Sequence, residues 1–193
     1  MAPPTRMTLE DRQVQILDAI VPVVLEHGAA ITSRQLADAA GVAEGTLFRS
    51  FGDKDSLLRA LFDRTAEVAY DLADLEDLAD ATLETTVSAI AGVLTVRFSA
   101  IFQMAIALGP ILLAEGKRDD PRFDELRDRI AALLAEHADE LAVAPPVAAD
   151  ALRTLTFAAA TGWGDRSAMD MSDVTGILLH GIARTDTRKE SRA

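Results

Sequence analysis

The twenty residues from Thr32 to Phe51, "TSRQLADAAGVAEGTLFRSF", constrain the fold more than any other stretch of the chain. Thr32 precedes Gln35 by three positions, the capping-box spacing, so a helix is expected to begin at Ser33. Leu36, Ala37 and Ala40 form its inner face, and the small Ala37 lets a second helix cross close by. Gly41 supplies the backbone conformation that a tight turn requires. A second helix is expected from about Ala43 to Ser50, with Val42 and Leu47 beneath it and Phe51 closing it. Its other face carries Glu44, Gly45, Thr46, Phe48, Arg49 and Ser50. Two short helices, a glycine turn and a polar outer face make a helix-turn-helix, whose second helix enters the major groove of DNA. Taken alone, the same pattern also fits a plain helical hairpin.

Charge does not settle the choice. The net charge of −12 disfavours a protein that coats nucleic acid through bulk attraction, but it leaves room for a small local reading surface. Between Ser33 and Arg59, Arg34, Arg49, Lys54 and Arg59 are matched by Asp38, Glu44, Asp53 and Asp55. Placement says more. Arg49 falls on the outer face of the second helix. Lys54 follows Asp53, a good N-cap, at the start of a long amphipathic helix carrying Leu57, Leu58, Leu61, Phe62, Val68, Ala69 and Leu72. Backbone N–H groups at such a helix start suit a phosphate.

The rest of the chain reads as all-α. It is 49% hydrophobic and only 5% aromatic, with few alternating β-branched runs. Val14, Leu17, Val21, Val24 and Leu25 predict a helix from Glu10 to Glu26, kinked or broken at Pro22 and capped by Gly28. A domain boundary is expected within or just before the acidic stretch from Asp71 to Asp80. Further helices are expected near 82–97, 98–108, 122–142, 147–163 and 172–184, with breaks at Gly109-Pro110, "GKRDDP", "APP" and "GWGDRSAMDMS". The apolar run from Phe98 to Ala114 contains Gln103 and Gly109-Pro110 and is bounded by Arg97 and Glu115, so it predicts a buried helix rather than a membrane span. The opening "MAPPTRMTLEDRQ" has no apolar signal-peptide core, which predicts a cytoplasmic protein. An enzyme is not expected. There is no cysteine, and His27, His137 and His180 are scattered without metal-ligand spacing. No glycine-rich phosphate loop is present, and Asp119-Asp120 and Asp53/Asp55 read as a loop and a cap. No metal or cofactor is expected.

The run "AAGVAEGTLFRSFGDKDSLLRALF" (Ala39 to Phe62), preceded by "ILDAIVPVVLEHGAAITSRQLAD", resembles the DNA-binding domain of the tetracycline-repressor (TetR) family. The likeness covers roughly Gln15 to Phe62, with Gly28, Thr32, Ala37, the "AGV" turn, "GTL", Phe51, Lys54 and "LL" in register. It implies a DNA-binding surface drawn from Thr32, Ser33, Arg34, Glu44, Gly45, Thr46, Phe48, Arg49, Ser50 and Lys54. Thr46 and Lys54 would contact phosphates, Gly45 would let the backbone approach DNA, and Arg49 would meet a base or a phosphate. Three positions depart from the family pattern. Phe48 stands where Tyr is frequent, Ser50 where His or Tyr is frequent, and Ala43 where Ser or Thr commonly caps the helix. These changes imply fewer phosphate contacts. Glu44 is either an acceptor for cytosine N4 or an ordinary first-turn acid.

The resemblance also implies a ligand-responsive repressor that binds a palindromic double-stranded operator as a homodimer. A DNA-binding domain over 10–62, with its linking helix to about 72, would precede a helical ligand-binding and dimerisation domain over 73–185, between flexible tails 1–9 and 186–193. The last two helices carry stripes that suit a dimer interface: Leu152, Leu155, Thr156, Ala159 and Trp163, then Val174, Ile177, Leu178 and Ile182. The same stripes also suit monomer core. Candidate walls for an unknown, mostly aliphatic small molecule are Arg97, Phe98, Ile101, Phe102, Gln103, Met104, Leu126, Ile130, Leu134 and Phe157. The alternative from another class is a helical scaffold or partner-binding protein whose hairpin no longer reads DNA.

Overall fold

The computed structural model describes residues 8–72, 75, 78, 81–113, 121–161 and 171–182. Among them are eight α-helices and one 3-10 turn: α1 (Leu9–His27), the turn Gly28–Ala30, α2 (Ser33–Ala39), α3 (Glu44–Phe51), α4 (Lys54–Tyr70), α5 (Leu83–Leu113), α6 (Arg122–Ala135), α7 (Pro145–Thr161) and α8 (Met171–Ile182). The all-α class expected from composition is the class observed.

Two compact units divide the chain. One comprises 1–68 with 100–119, and the other 69–99 with 120–193. The first change of unit, at 68/69, falls a few residues before the acidic stretch. The second, at 99/100, falls inside α5, so this helix serves both units.

In the first unit, α1 begins earlier than its apolar spacing predicts. Thr8 caps it, and Asp11 completes a capping box by accepting from the Thr8 backbone N–H at 2.9 Å. Thr8 and Leu9, expected in a loose arm, are therefore cap and first turn. Pro22 neither ends nor interrupts α1. Proline removes its own N–H and frees the carbonyl four residues earlier. Pro22 and Asp18 both lie on the exposed side of α1, where water satisfies that carbonyl. Gly28 closes the helix at φ 61°, as expected. Ile16, Leu17, Ile20, Val24, Ile31, Leu36, Leu47, Leu57, Leu58 and Leu61 form one buried cluster, which Met104, Leu108 and Ile111 of α5 complete.

The break expected at Gly109-Pro110 is also absent: α5 runs unbroken for 31 residues. The carbonyl that Pro110 frees is that of Ile106, whose side chain is 64% exposed, so the same solvent argument holds. The two helices expected over 82–97 and 98–108 are thus one. Its stretch Leu83–Gly109 is long and apolar enough, by length and composition alone, to cross a membrane. Along it Val87, Ile90, Ala91, Leu94, Phe98, Met104 and Leu108 are buried within the protein, while Val96 and Ile106 are exposed.

In the second unit, α6 is shorter than expected and ends at Ala135. Helix α7 starts at Pro145, because a proline at the first helical position loses no intrahelical bond. Phe98 meets Phe157 edge-on at 5.5 Å, and the Ser99 hydroxyl donates to the Ala160 carbonyl at 3.2 Å, joining α5 to α7. A surface stack joins α4, α6 and α7. The Arg122 guanidinium lies over Tyr70, Tyr70 packs on Phe123 at 5.2 Å, and the Arg153 guanidinium lies over Phe123. The expected break "GWGDRSAMDMS" and the tail after Ile182 lie largely outside the described residues.

Candidate nucleic-acid interface

The reading head is built by local rules. The Thr32 hydroxyl accepts from the Gln35 N–H at 3.2 Å, and Gln35 Oε1 accepts from the Thr32 N–H at 2.9 Å. This is the capping box expected from sequence, and α2 begins at Ser33 as expected. Ala37, 2% exposed, lies at the crossing with α3, and Gly41 makes the turn at φ 64°. The Val42 N–H donates to the Ala37 carbonyl at 3.0 Å and closes that turn. Ala43 stands at the N-cap of α3 without any side-chain bond, since its methyl group accepts none. Asp53 Oδ1 accepts from the Ser56 N–H at 2.7 Å and caps the start of α4. That bond holds the Asp53 carboxyl below its ordinary value of 3.8.

Helix α3 is sharply two-faced. Leu47 is buried, while Thr46, Ser50 and Phe51 are half-buried. Glu44, Gly45, Phe48 and Arg49 are exposed and, at the i, i+1, i+4, i+5 spacing, make one outward stripe. The Arg49 Nε donates to the Gly45 carbonyl at 3.0 Å, a bond that does not use the two terminal nitrogens. A Cβ built on Gly45 would meet nothing within 4 Å.

Lys54, which the resemblance gives as a phosphate contact, is also bonded within the fold. Its Nζ donates to the Ala29 carbonyl at 3.0 Å and the Ile31 carbonyl at 3.1 Å. Two of its three protons thus bind the 3-10 turn to the start of α4. Thr32 and Arg34 are exposed and Ser33 is half-buried at the start of α2, with Arg34 4.0 Å from Asp38. One positioning residue escaped the sequence reading. Gln13 of α1 donates through Nε2 to the Ser50 carbonyl at 2.7 Å and anchors the end of α3. A lone glutamine on an amphipathic helix carries no signal of such a long-range bond.

The candidate ligand walls come from both units. Phe98, Leu126, Ile130 and Leu134 are buried, and Arg97 and Phe157 half-buried, in the second unit. Ile101, Phe102, Gln103 and Met104 belong to the first, where Gln103 is exposed and Met104 is part of the head's own core. The candidate dimer stripe divides similarly. Leu152, Thr156, Val174 and Leu178 are buried within the chain itself, so they are core positions. Leu155 and Ala159 are half-buried, and Ile177 is 50% exposed. Trp163, and the side chain of Ile182, lie outside the described residues.

Thr156 stands out among the buried groups. Thr65, Thr95 and Thr161 each donate to the carbonyl four residues earlier, at 2.9, 2.8 and 2.8 Å. Thr156 is 0% exposed, yet its hydroxyl has no hydrogen-bond partner among the described residues.

Comparison with known proteins bears on the head and on the fold. The family "Bacterial regulatory proteins, tetR family" matches residues 16–61. Nucleoid occlusion factor SlmA of Actinobacillus pleuropneumoniae serotype 5b is 30% identical over 87 residues, which are 44% of this chain and 43% of that protein. The chain therefore aligns with less than half the length of that relative. Among solved structures, a TetR transcriptional regulator of Streptomyces coelicolor superposes with a TM-score of 0.60 at 23% identity, covering 90% of this chain and 99% of that one. The transcriptional regulator FadR of Bacillus subtilis, in complex with stearoyl-CoA, does so with a TM-score of 0.57 at 18% identity, covering 88% and 98%. At these identities the superpositions speak for the fold.

Proposed function

We propose that this chain, a TetR-family regulator by residues 16–61, binds a palindromic operator as a homodimer and releases it when a small molecule binds. One observation carries the DNA-binding part: the notch at Gly45. A glycine in a helix is less favourable than alanine by about 1 kcal/mol. Here neither a positive φ nor a crowded neighbour explains it. What supports the reading is its place, on the exposed stripe beside Arg49 within the segment that matches the family, where a side-chain-free position suits the approach of a duplex. Selection of bound sequences from random duplex DNA tests the reading. Two-fold symmetric sites with half-sites about one helical turn or a little more apart are expected. Recovery of no preferred sequence favours the helical scaffold instead.

The dimer part is supported by Leu155 and Ala159 of α7, half-buried among the described residues, and by Ile177 of α8, which is exposed there. One reading head per chain needs a second copy to span two half-sites. The ligand part is supported by the buried apolar group of Phe98, Leu126, Ile130 and Leu134 in the second unit, with the orphan hydroxyl of Thr156 in the same unit. An unpaired buried hydroxyl costs about 1–3 kcal/mol, so a ligand that engages it relieves that cost. FadR of Bacillus subtilis, which shares the fold, is in complex with stearoyl-CoA, whose long aliphatic chain suits apolar residues such as these. Release follows by linkage. A hundredfold loss of operator affinity needs about 2.7 kcal/mol of coupling, and ligand and operator then weaken each other equally. Titrating a ligand found by thermal-shift screening against free and operator-bound protein measures that coupling directly. Equal affinity in both states rules out induction by that ligand.

A further inference from the structure

The outward stripe of α3 holds an aromatic ring whose contact with DNA has so far no stated chemistry. Phe48 is 40% exposed between Glu44, one turn earlier, and Gly52, one turn later. Scattered exposed apolar residues are ordinary on protein surfaces. This ring differs because its neighbours fix what it can touch. The notch at Gly45, three residues before it, lets a flat surface approach the helix beside the ring. Arg49, next in sequence, is held at Nε by the Gly45 carbonyl, so its terminal nitrogens form a pre-set two-donor edge. The ring carries no hydroxyl and offers no hydrogen bond to a phosphate. In the major groove the apolar group that a base pair presents is the C5-methyl of thymine, while guanine O6 and N7 match a two-donor guanidinium.

We propose that Phe48 reads a 5-methylpyrimidine, thymine in unmodified DNA, by direct contact with its C5-methyl group, with Arg49 fixing the register on a nearby guanine. This rests on the reading of α3 as a major-groove helix. The contact makes operator affinity depend on a methyl group rather than on a hydrogen bond, so 5-methylcytosine satisfies it as thymine does.

The test uses the full chain and a duplex it selects from random DNA. Each thymine of one half-site is replaced in turn by deoxyuridine, which differs only in lacking the methyl. One such replacement should weaken binding about fourfold, the equivalent of about 0.8 kcal/mol for one buried methyl. Phe48→Ala should bind more weakly and lose that sensitivity, while Phe48→Leu, still apolar, should keep part of it. Cytosine at the sensitive position should weaken binding, and 5-methylcytosine should restore most of the loss. A tightly bound duplex indifferent to every deoxyuridine overturns the methyl contact and leaves DNA binding standing. Sensitivity that persists in Phe48→Ala overturns it equally. A chain that enriches no duplex at all overturns both readings.

Discussion

Single side chains decide where the head's charges go. Lys54 belongs to the turn between α1 and α2 before it belongs to any phosphate, since its ammonium holds the Ala29 and Ile31 carbonyls. Hydrogen bonds to a charged group contribute about 1.5–3 kcal/mol. Lys54→Ala is therefore expected to lower the thermal midpoint of the free protein as well as DNA affinity. A variant that loses DNA affinity at an unchanged midpoint would return Lys54 to a purely phosphate-facing role. Asp53 makes a pH-dependent contribution of known sign. Its carboxyl is depressed by the bond from the Ser56 N–H, so its stabilisation is complete well above 3.8 and is lost as pH falls through the lower folded value. Asp53→Ala should remove that acid-side slope from a series of urea melts below pH 4. Thr156→Val removes the orphan hydroxyl at nearly constant shape. It should leave the free protein equally or more stable and weaken the ligand. A large loss of stability would mean that the hydroxyl is satisfied within the fold.

At the scale of elements, the head was legible because its rules are local. The Thr32 capping box, the Gly41 turn, the Gly28 cap and the Asp53 cap are each written within a few residues, and each stands as expected. What misled were the prolines and the stripes. Pro22 and Pro110 signal a break, but a proline ends a helix only where the freed carbonyl lacks another partner, and solvent on one side of α1 and α5 supplies it. The apolar spacing of α7 and α8 shows which positions seek burial, but not whether the same chain or a second copy buries them. Leu178 and Ile177 are adjacent in sequence, yet one is 1% and the other 50% exposed. The role of Gln13 depends on where Ser50 arrives from 37 residues away. Gly45→Ala is the element-scale test of function against fold. It should stabilise α3 by up to about 1 kcal/mol and still reduce operator affinity, read by thermal melts and fluorescence anisotropy on one preparation.

At the scale of the whole molecule, two substitutions one residue apart separate assembly from folding. Ile177→Arg should yield a folded monomer with much weaker operator binding, seen by sedimentation and anisotropy. Leu178→Arg should unfold the second unit instead, because it buries a charge without a partner. A folded monomer from Leu178→Arg would reverse that assignment. The head also has an unusual origin in sequence. Its core is not closed within the first 68 residues, because Met104, Leu108 and Ile111 arrive from the far half of α5. A Cβ on Gly28 would lie 2.9 Å from the Ala107 carbonyl oxygen, so the backbone of α5 runs hard against the end of α1. Heads and bodies are therefore not interchangeable at the apparent boundary. A chimera cut near residue 68 would carry this head to a foreign body without part of its own floor, and grafting α5 along with it would alter the recipient's body.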